Sequence, residues 1–460
     1  MANESLIGHH GDSRSRSRPP RPQLVRWGHN TDLAVANFPV SGSVMPMAIV
    51  RSLALIKGEA AAVNCALGTL DRARAISITE AAEEIIDGAF DDQFPVDVFQ
   101  TGSGTSTNMN VNEVIAHRAT ERLGLEVHPN DHVNMSQSSN DTFPSAVRIA
   151  GAMSISTALL PQLRNMSEAL RDLASEHDTT VKLGRTHLMD AVPMTFGQEV
   201  SGWARSMDLA ADRVSDALSR LVELPIGGTA VGTGLNAPAG FGSMMAAGLA
   251  QRTGMPFVEA INHFEAQSTQ DAVLEMSGAV KVAALSLHKI AGDLRLLGSG
   301  PHGGLGELRL PALQPGSSIM PGKVNPVMCE MAQQVVARIV GNDATITFGS
   351  TASTLQLNTA MPVMGVALLS SIDLLATAVS LLHTRCIAAI AVDAARMRDL
   401  ADRSSALVTA LAPVIGYDRA ASVALAMVDR SVSLVEALAS EGLHDVEIAD
   451  VLDLTNVERS

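Results

Sequence analysis

The sequence predicts an all-α protein, a fold of helices packed on helices, and two observations carry that prediction. Of the 460 residues, 46% are hydrophobic but only 3% aromatic. The core must therefore be built from Ala, Leu, Val, Ile and Met, which suit close helix packing better than a β-sandwich. Val273, Met276, Val280, Ala283, Leu287, Ile290, Leu294 and Leu297 recur at alternating steps of three and four, the stripe of a bundle seam. Val282, Leu285 and Leu296 lie opposite it, so this helix is expected to bury more than one face, as the central helix of an oligomer would.

Taken in order, residues 1–36 form an atypical N-terminus. The whole segment is expected to be disordered, most clearly at residues 13–22, which read SRSRSRPPRP, a basic, proline-rich run. Its Arg/Ser bias resembles an organellar transit peptide, but the prolines spoil an amphipathic helix. Residues 47–88 are Ala-rich with helical spacing, and residues 91–95 (DDQFP) end that unit. Pro144 is read as opening a long helix that runs to about Ser175 with a kink at Pro161. Gly184-Arg185-Thr186-His187 interrupts the chain, and a further helix follows Pro193 and lasts until Pro225. Residues 227–234 are too glycine-rich for a helix. Two more long helices fall at residues 327–345 and 362–384, and shorter segments at 394–410 and 418–440 suggest a small helical C-terminal domain. The expected division is an N-terminal helical domain at 37–141, a central long-helix domain at 142–391 and the C-terminal domain at 392–460.

A net charge of −15 and a pI near 5.3 argue against nucleic acid or an anionic membrane as partner. The cysteines, Cys65, Cys329 and Cys386, are odd in number and lack CxxC spacing. They suggest a reducing, cytoplasmic compartment and no metal site. No apolar run approaches the length of about eighteen residues that a membrane span needs.

The densest chemistry lies in residues 316–326 (GSSIMPGKVNP), with two glycines, two hydroxyls, a lysine and an amide in an otherwise apolar region. Gly316 and Gly322 are candidate hinges, and Pro326 suits the first position of the next helix. The loop thus feeds a helix N-terminus, where unpaired N–H groups and the macrodipole, joined by Lys323, favour an anion. Three further polar islands, residues 101–108, 128–141 and 184–187, lie at or between helix ends. Capping needs only one or two polar residues; most of these islands carry many more, which implies a ligand.

These stretches resemble the fumarase/aspartase superfamily, in the form carried by class II fumarate hydratases. Residues 316–326 look like its signature, and TGSGTSTNMNVNE (101–113), HPNDHVNMSQSSND (128–141), GRTHLMD (184–190) and GGTAVGTGLNAP (227–238) match in the family's order. The likeness covers about residues 37–440; Gly322 and Ser139 favour fumarase over aspartase.

The resemblance implies three helical domains, a central bundle that assembles into a homotetramer, and active sites shared between subunits. It implies a lyase of the tricarboxylic acid cycle that interconverts fumarate and L-malate, with a small dicarboxylate as its ligand and neither cofactor nor metal. Ser317 would take the C3 proton of malate and His187 would act as general acid or proton shuttle. Lys323 and Asn325 would bind a carboxylate, with Ser103, Gly104, Thr105, Ser138, Ser139, Asn140, Thr186, Ser318 and Val324 completing the pocket. Glu330 would support the histidine, although an acidic residue one turn into a helix also simply complements the dipole. His128, Pro129, Asn130 and Asp131 match a second dicarboxylate site.

The chemistry asks for such groups. Removing a proton beside a carboxylate yields a doubly charged aci-carboxylate, which fixed donors must hold at about 3 kcal/mol each. A serine is a poor base unless loop N–H groups and cations stabilise its alkoxide, and a histidine titrates near neutrality.

Two stretches depart from the family. Leu33 stands where a Gly-x-x-Thr-x-Arg turn carries arginine, and Leu355-Gln356-Leu357-Asn358 stands where fumarases have Phe-Glu-Leu-Asn, a departure that leans towards aspartase. The residues beyond Gly442 are expected to carry little likeness. Aspartate ammonia-lyase, or an inactive tetrameric member, are the alternatives.

Overall fold

The computed structural model describes residues 24–443. Helices dominate the described residues, and the strands form only short two-stranded ribbons, so the expected all-α class holds. The chain divides into two compact units. The first holds residues 24–153, Ser219–Leu274 and Ala344–Leu369; the second holds Ser154–Leu218, Glu275–Asp343 and residues 370–443.

The expected disorder at the N-terminus lies outside the described residues as far as residue 23, and beyond that it is corrected. His29–Asn37 is a helix. Its start is held by the Glu113 carboxylate, which accepts hydrogen bonds from the N–H groups of Gly28, Asn30 and Thr31 (2.9, 2.9 and 3.2 Å), from Asn30 Nδ2 (3.0 Å) and from Thr31 Oγ1 (2.6 Å). A carboxylate at a helix start complements both the orphan N–H groups and the dipole. Leu33 is exposed on this helix, so the helix is anchored without the family's arginine.

In the first unit, Met47–Ala66 packs on Arg72–Ile86, Thr105–Leu123 and Phe241–Thr253. Small residues make that approach possible: a Cβ on Gly58 would lie 3.3 Å from that of Ala82. Asp71 caps Arg72–Ile86 by accepting from the Arg74 N–H at 3.0 Å.

The seam foreseen on Asp271–Leu297 is buried at every one of its eight positions, whereas Val282, Leu285 and Leu296 are 38–48% exposed in the single chain. Other boundaries moved. The helix expected from Pro144 starts at Ser139 with Pro144 inside it. A π-helical turn, Ile155–Leu159, precedes Leu160–Glu176, placing the irregularity just ahead of Pro161, which lacks the N–H a regular turn would use. The segment foreseen at 418–440 is two helices, Tyr417–Arg430 and Leu434–Ser440, because Ser431 turns left-handed and Ser433 with Glu436 forms a capping box. With Val408–Ile415 they enclose a cluster around Leu411, Val423, Met427 and Leu438.

Two helical stretches do reach membrane-spanning length and hydropathy, Ser139–Glu176 and Met361–Ala389, which corrects the expectation drawn from apolar runs. Their most apolar windows are 72% and 61% buried within the fold, the behaviour of core helices. Cys329, at the start of Val327–Ser350, and Cys386, just past Met361–Arg385, are buried free thiols that neighbour one another. Contact with its partner, together with burial, pushes the Cys329 thiol up.

Candidate active site

The first unit brings six of the expected residues together at two helix starts. Gly104 precedes Thr105–Leu123 with φ +71°, and a Cβ there would meet the Phe143 ring at 2.2 Å, so only glycine fits. Behind it the hydroxyls form a chain. Ser103 Oγ lies 2.7 Å from Thr105 Oγ1, which lies 2.7 Å from Ser139 Oγ at the first position of Ser139–Ser154. Ser138 Oγ accepts from the Asn140 N–H at 3.2 Å, and Asn140 Nδ2 donates to Ala230 O at 2.8 Å. Thr101 Oγ1 and Gln100 Oε1 already accept from the Ser106 and Thr107 N–H groups (3.0 and 2.9 Å), so the movable hydroxyls are the donors that suit a small anion here.

Beneath these hydroxyls lies a buried ionic layer that sequence reasoning missed. Asp141 is fully buried; it accepts from the N–H groups of Ser138 (2.9 Å), Gly227 (3.1 Å) and Thr229 (2.9 Å). The glycine-rich stretch after Pro225 thus closes onto this carboxylate. Burial pushes the Asp141 carboxyl up to about 6 against the pull of those N–H groups and of Lys57. Lys57, also fully buried, donates to Asn134 Oδ1 (2.8 Å) and Gln137 Oε1 (3.0 Å), and burial lowers its ammonium to about 7. In the sequence, its only signal was a lysine directly after the apolar run Leu53-Ala54-Leu55-Ile56.

His128, Pro129, Asn130 and Asp131 share one local turn, Pro129–Val133. His128 Nδ1 accepts from the Asp131 N–H at 3.1 Å and lies 3.3 Å from Asp131 Oδ2, while the His128 N–H donates to His132 Nδ1 at 2.8 Å. Half-exposed, the turn satisfies much of its own polarity.

In the second unit, Thr186 and His187 stand on a feature the sequence did not reveal. Val181–Thr186 and Met189–Thr195 form an antiparallel hairpin whose two-residue turn is His187-Leu188. Both turn residues have positive φ, +57° and +62°, the conformation such turns require and one that non-glycine residues adopt at a cost. The imidazole is therefore presented at an exposed tip. Below it, Arg185 Nη2 donates to Glu307 Oε1 at 2.8 Å, and buried Lys182 contacts Glu199 Oε2 at 2.6 Å and Glu307 Oε2 at 3.3 Å. Ser404 Oγ donates to Asp190 Oδ2 at 2.8 Å.

Residues 316–325 close on themselves. The Gly316 N–H donates to Lys323 O at 2.9 Å and Asn325 Nδ2 to Gly316 O at 2.6 Å; Gly322 has φ +81°. A Cβ on Gly316 would sit 2.1 Å from Lys323 O. Ser317 Oγ accepts from the N–H groups of Ile319 (3.2 Å) and Met320 (3.0 Å), the donors an alkoxide would need. Ser318, Lys323 and Val324 are exposed. The following helix begins at Val327, with Glu330 in its first turn. Val324, Pro326, Glu330, Arg295 and Ser299 line an open cavity of about 450 Å³. Among the described residues no hydrogen bond joins the hairpin tip to this loop, and no group of three or more His, Cys, Asp or Glu is arranged to hold a metal. Gln356 is exposed in the tight turn between Ser353–Thr354 and Leu357–Asn358.

A family model described as Lyase matches residues 21–341, and one described as Fumarase C C-terminus matches residues 407–457. The chain therefore belongs to a lyase family. Fumarate hydratase class II of Corynebacterium efficiens is 48% identical over 448 residues, covering 95% of this chain and 94% of that protein. Its counterpart in Mycobacterium tuberculosis is 48% identical over 439 residues, with 95% and 92% covered. The crystal structure of the class II fumarase from Schistosoma mansoni superimposes with a TM-score of 0.91 at 37% identity, covering 95% of this chain and 96% of that one. The chain belongs to the class II fumarate hydratase family. The likeness also runs past both limits expected of it, starting ahead of residue 37 and continuing beyond Gly442.

Proposed function

We propose that the protein catalyses the reversible hydration of fumarate to L-malate, with Ser317 as the base. The carrying observation is the closed 316–325 loop, in which two backbone N–H groups already point at Ser317 Oγ. Deprotonation at C3 leaves charge on the neighbouring carboxylate, and Lys323 with Asn325 is assigned to hold it. His187, at the hairpin tip, protonates the departing hydroxide, with Glu330 in support. The hydroxyl chain Ser103, Thr105 and Ser139, with Gly104, Ser138 and Asn140, binds the dicarboxylate; Thr186, Ser318 and Val324 complete the pocket. His128, Pro129, Asn130 and Asp131 are proposed as a second dicarboxylate site.

The working form is proposed to be a homotetramer with sites shared between subunits. Support comes from the apolar residues Val282, Leu285 and Leu296, exposed on a helix whose other face is fully packed. Free thiols suit a cytoplasmic setting.

The test is fumarate's ultraviolet absorbance, with L-malate in one cuvette and L-aspartate in another. Fumarate should appear from malate alone. Its appearance only from aspartate would make the protein an ammonia-lyase, and a stable tetramer silent with both would make it an inactive member.

A further inference from the structure

We propose that Lys57 is a positioning residue for substrate: its buried ammonium fixes the turn that carries Ser138, Ser139 and Asn140. The inference rests on the hydratase reading of those residues.

Lys57 stands in the middle of Met47–Ala66, with apolar neighbours Leu53, Ile56, Ala60 and Ala61 all buried around it. Leaving a lysine there is costly unless its donors are used. They are used on one short segment. Asn134 Oδ1 accepts from Lys57 Nζ and also from Asn108 Nδ2 and Asn112 Nδ2, each at 3.2 Å. Asn134 Nδ2 in turn donates to Gln137 O at 3.2 Å. Gln137 Oε1 faces Lys57, while its Nε2 donates to Val133 O (3.1 Å) and Met135 O (3.0 Å). Both carboxamides therefore have one allowed orientation, set by a cation that can only donate. The turn from Val133 to Gln137 is wrapped around that cation, and Ser138 to Asn140 follow directly. Asp141 pins the far side through the Ser138 N–H, and its charge attracts the same ammonium. No part of Lys57 reaches the surface, so it acts on a substrate only through the residues it holds.

Lys57→Met keeps the length and apolar stem but leaves two carbonyl oxygens without their cation. KM for fumarate should rise about tenfold or more while kcat changes less than about threefold, the pattern of lost uniform binding. Hydrogen exchange in a peptide spanning residues 134–143 should quicken by a similar factor, with a peptide from residues 417–438 unchanged. KM within twofold of wild type overturns the proposal, and faster exchange without a KM change does so too, because Lys57 would then be structural only. Should Lys57→Met fail to fold, Gln137→Met removes one acceptor, and the same readouts should move about threefold; no movement overturns the proposal. A wild-type protein that turns over no fumarate sinks the hydratase reading by itself. Titration of succinate into wild type and variant by calorimetry then decides on Lys57, with equal affinity overturning it.

Discussion

Thr105 Oγ1 and Ser139 Oγ, 2.7 Å apart, join two polar islands that lie 34 positions apart in the chain. Each residue opens a helix, so the contact locks two helix starts into one donor surface. Ser139→Ala should cost only about 1 kcal/mol of stability yet raise KM for fumarate about tenfold, measured by initial rates. A KM equal to wild type would remove the hydroxyl chain from substrate binding.

Ser317→Ala removes the proposed base from an exposed loop that packs into no core. Turnover should fall about a thousandfold or more, while the melting temperature and the oligomer mass stay at wild-type values. Substantial remaining activity would exclude Ser317 as the base.

Asp141 gives a pH signature. Its carboxyl rises on folding from the ordinary 3.8 to about 6, so between these values the folded state holds a proton that the unfolded state has lost. The resulting stabilisation is complete below about pH 4 and disappears as pH climbs through 6. Thermal melts of wild type and Asp141→Asn across pH 4–7 should show wild type losing ground to the variant over that interval. Parallel curves would refute the assignment.

Glu113 anchors the N-terminal helix through five hydrogen bonds. Glu113→Ala should release residues 24–37 and speed tryptic cleavage after Arg26, while Glu113→Gln should have a smaller effect. Unchanged cleavage in the alanine variant would mean that other contacts hold the segment.

The helical architecture was readable because it depends on periodicity: each seam position from Val273 to Leu297 is buried as its spacing required. The 316–326 loop was readable because its composition has no other reason to interrupt an apolar chain. The hairpin under His187 was not. Its alternation is disturbed by an irregular register between Leu183 and Arg185, and its turn, His187-Leu188, lacks the glycine or asparagine that usually marks one. Lys57 and Asp141 were missed for a different reason. A buried charge shows up in a sequence as one exception in a run, and its partners, 77 and 80 positions away for Lys57, are set by folding alone. The helix from His29 was missed because its anchor lies more than 80 positions away, in Glu113.

The sealed contact between Cys329 and Cys386 turns the protein into its own gauge of breathing. Cys65 is partly open and should react first with a thiol reagent; the other two can be tagged only when the ends of their helices separate. Under gentle conditions, the slow second wave of labelling therefore counts those openings, with no probe having to be built in.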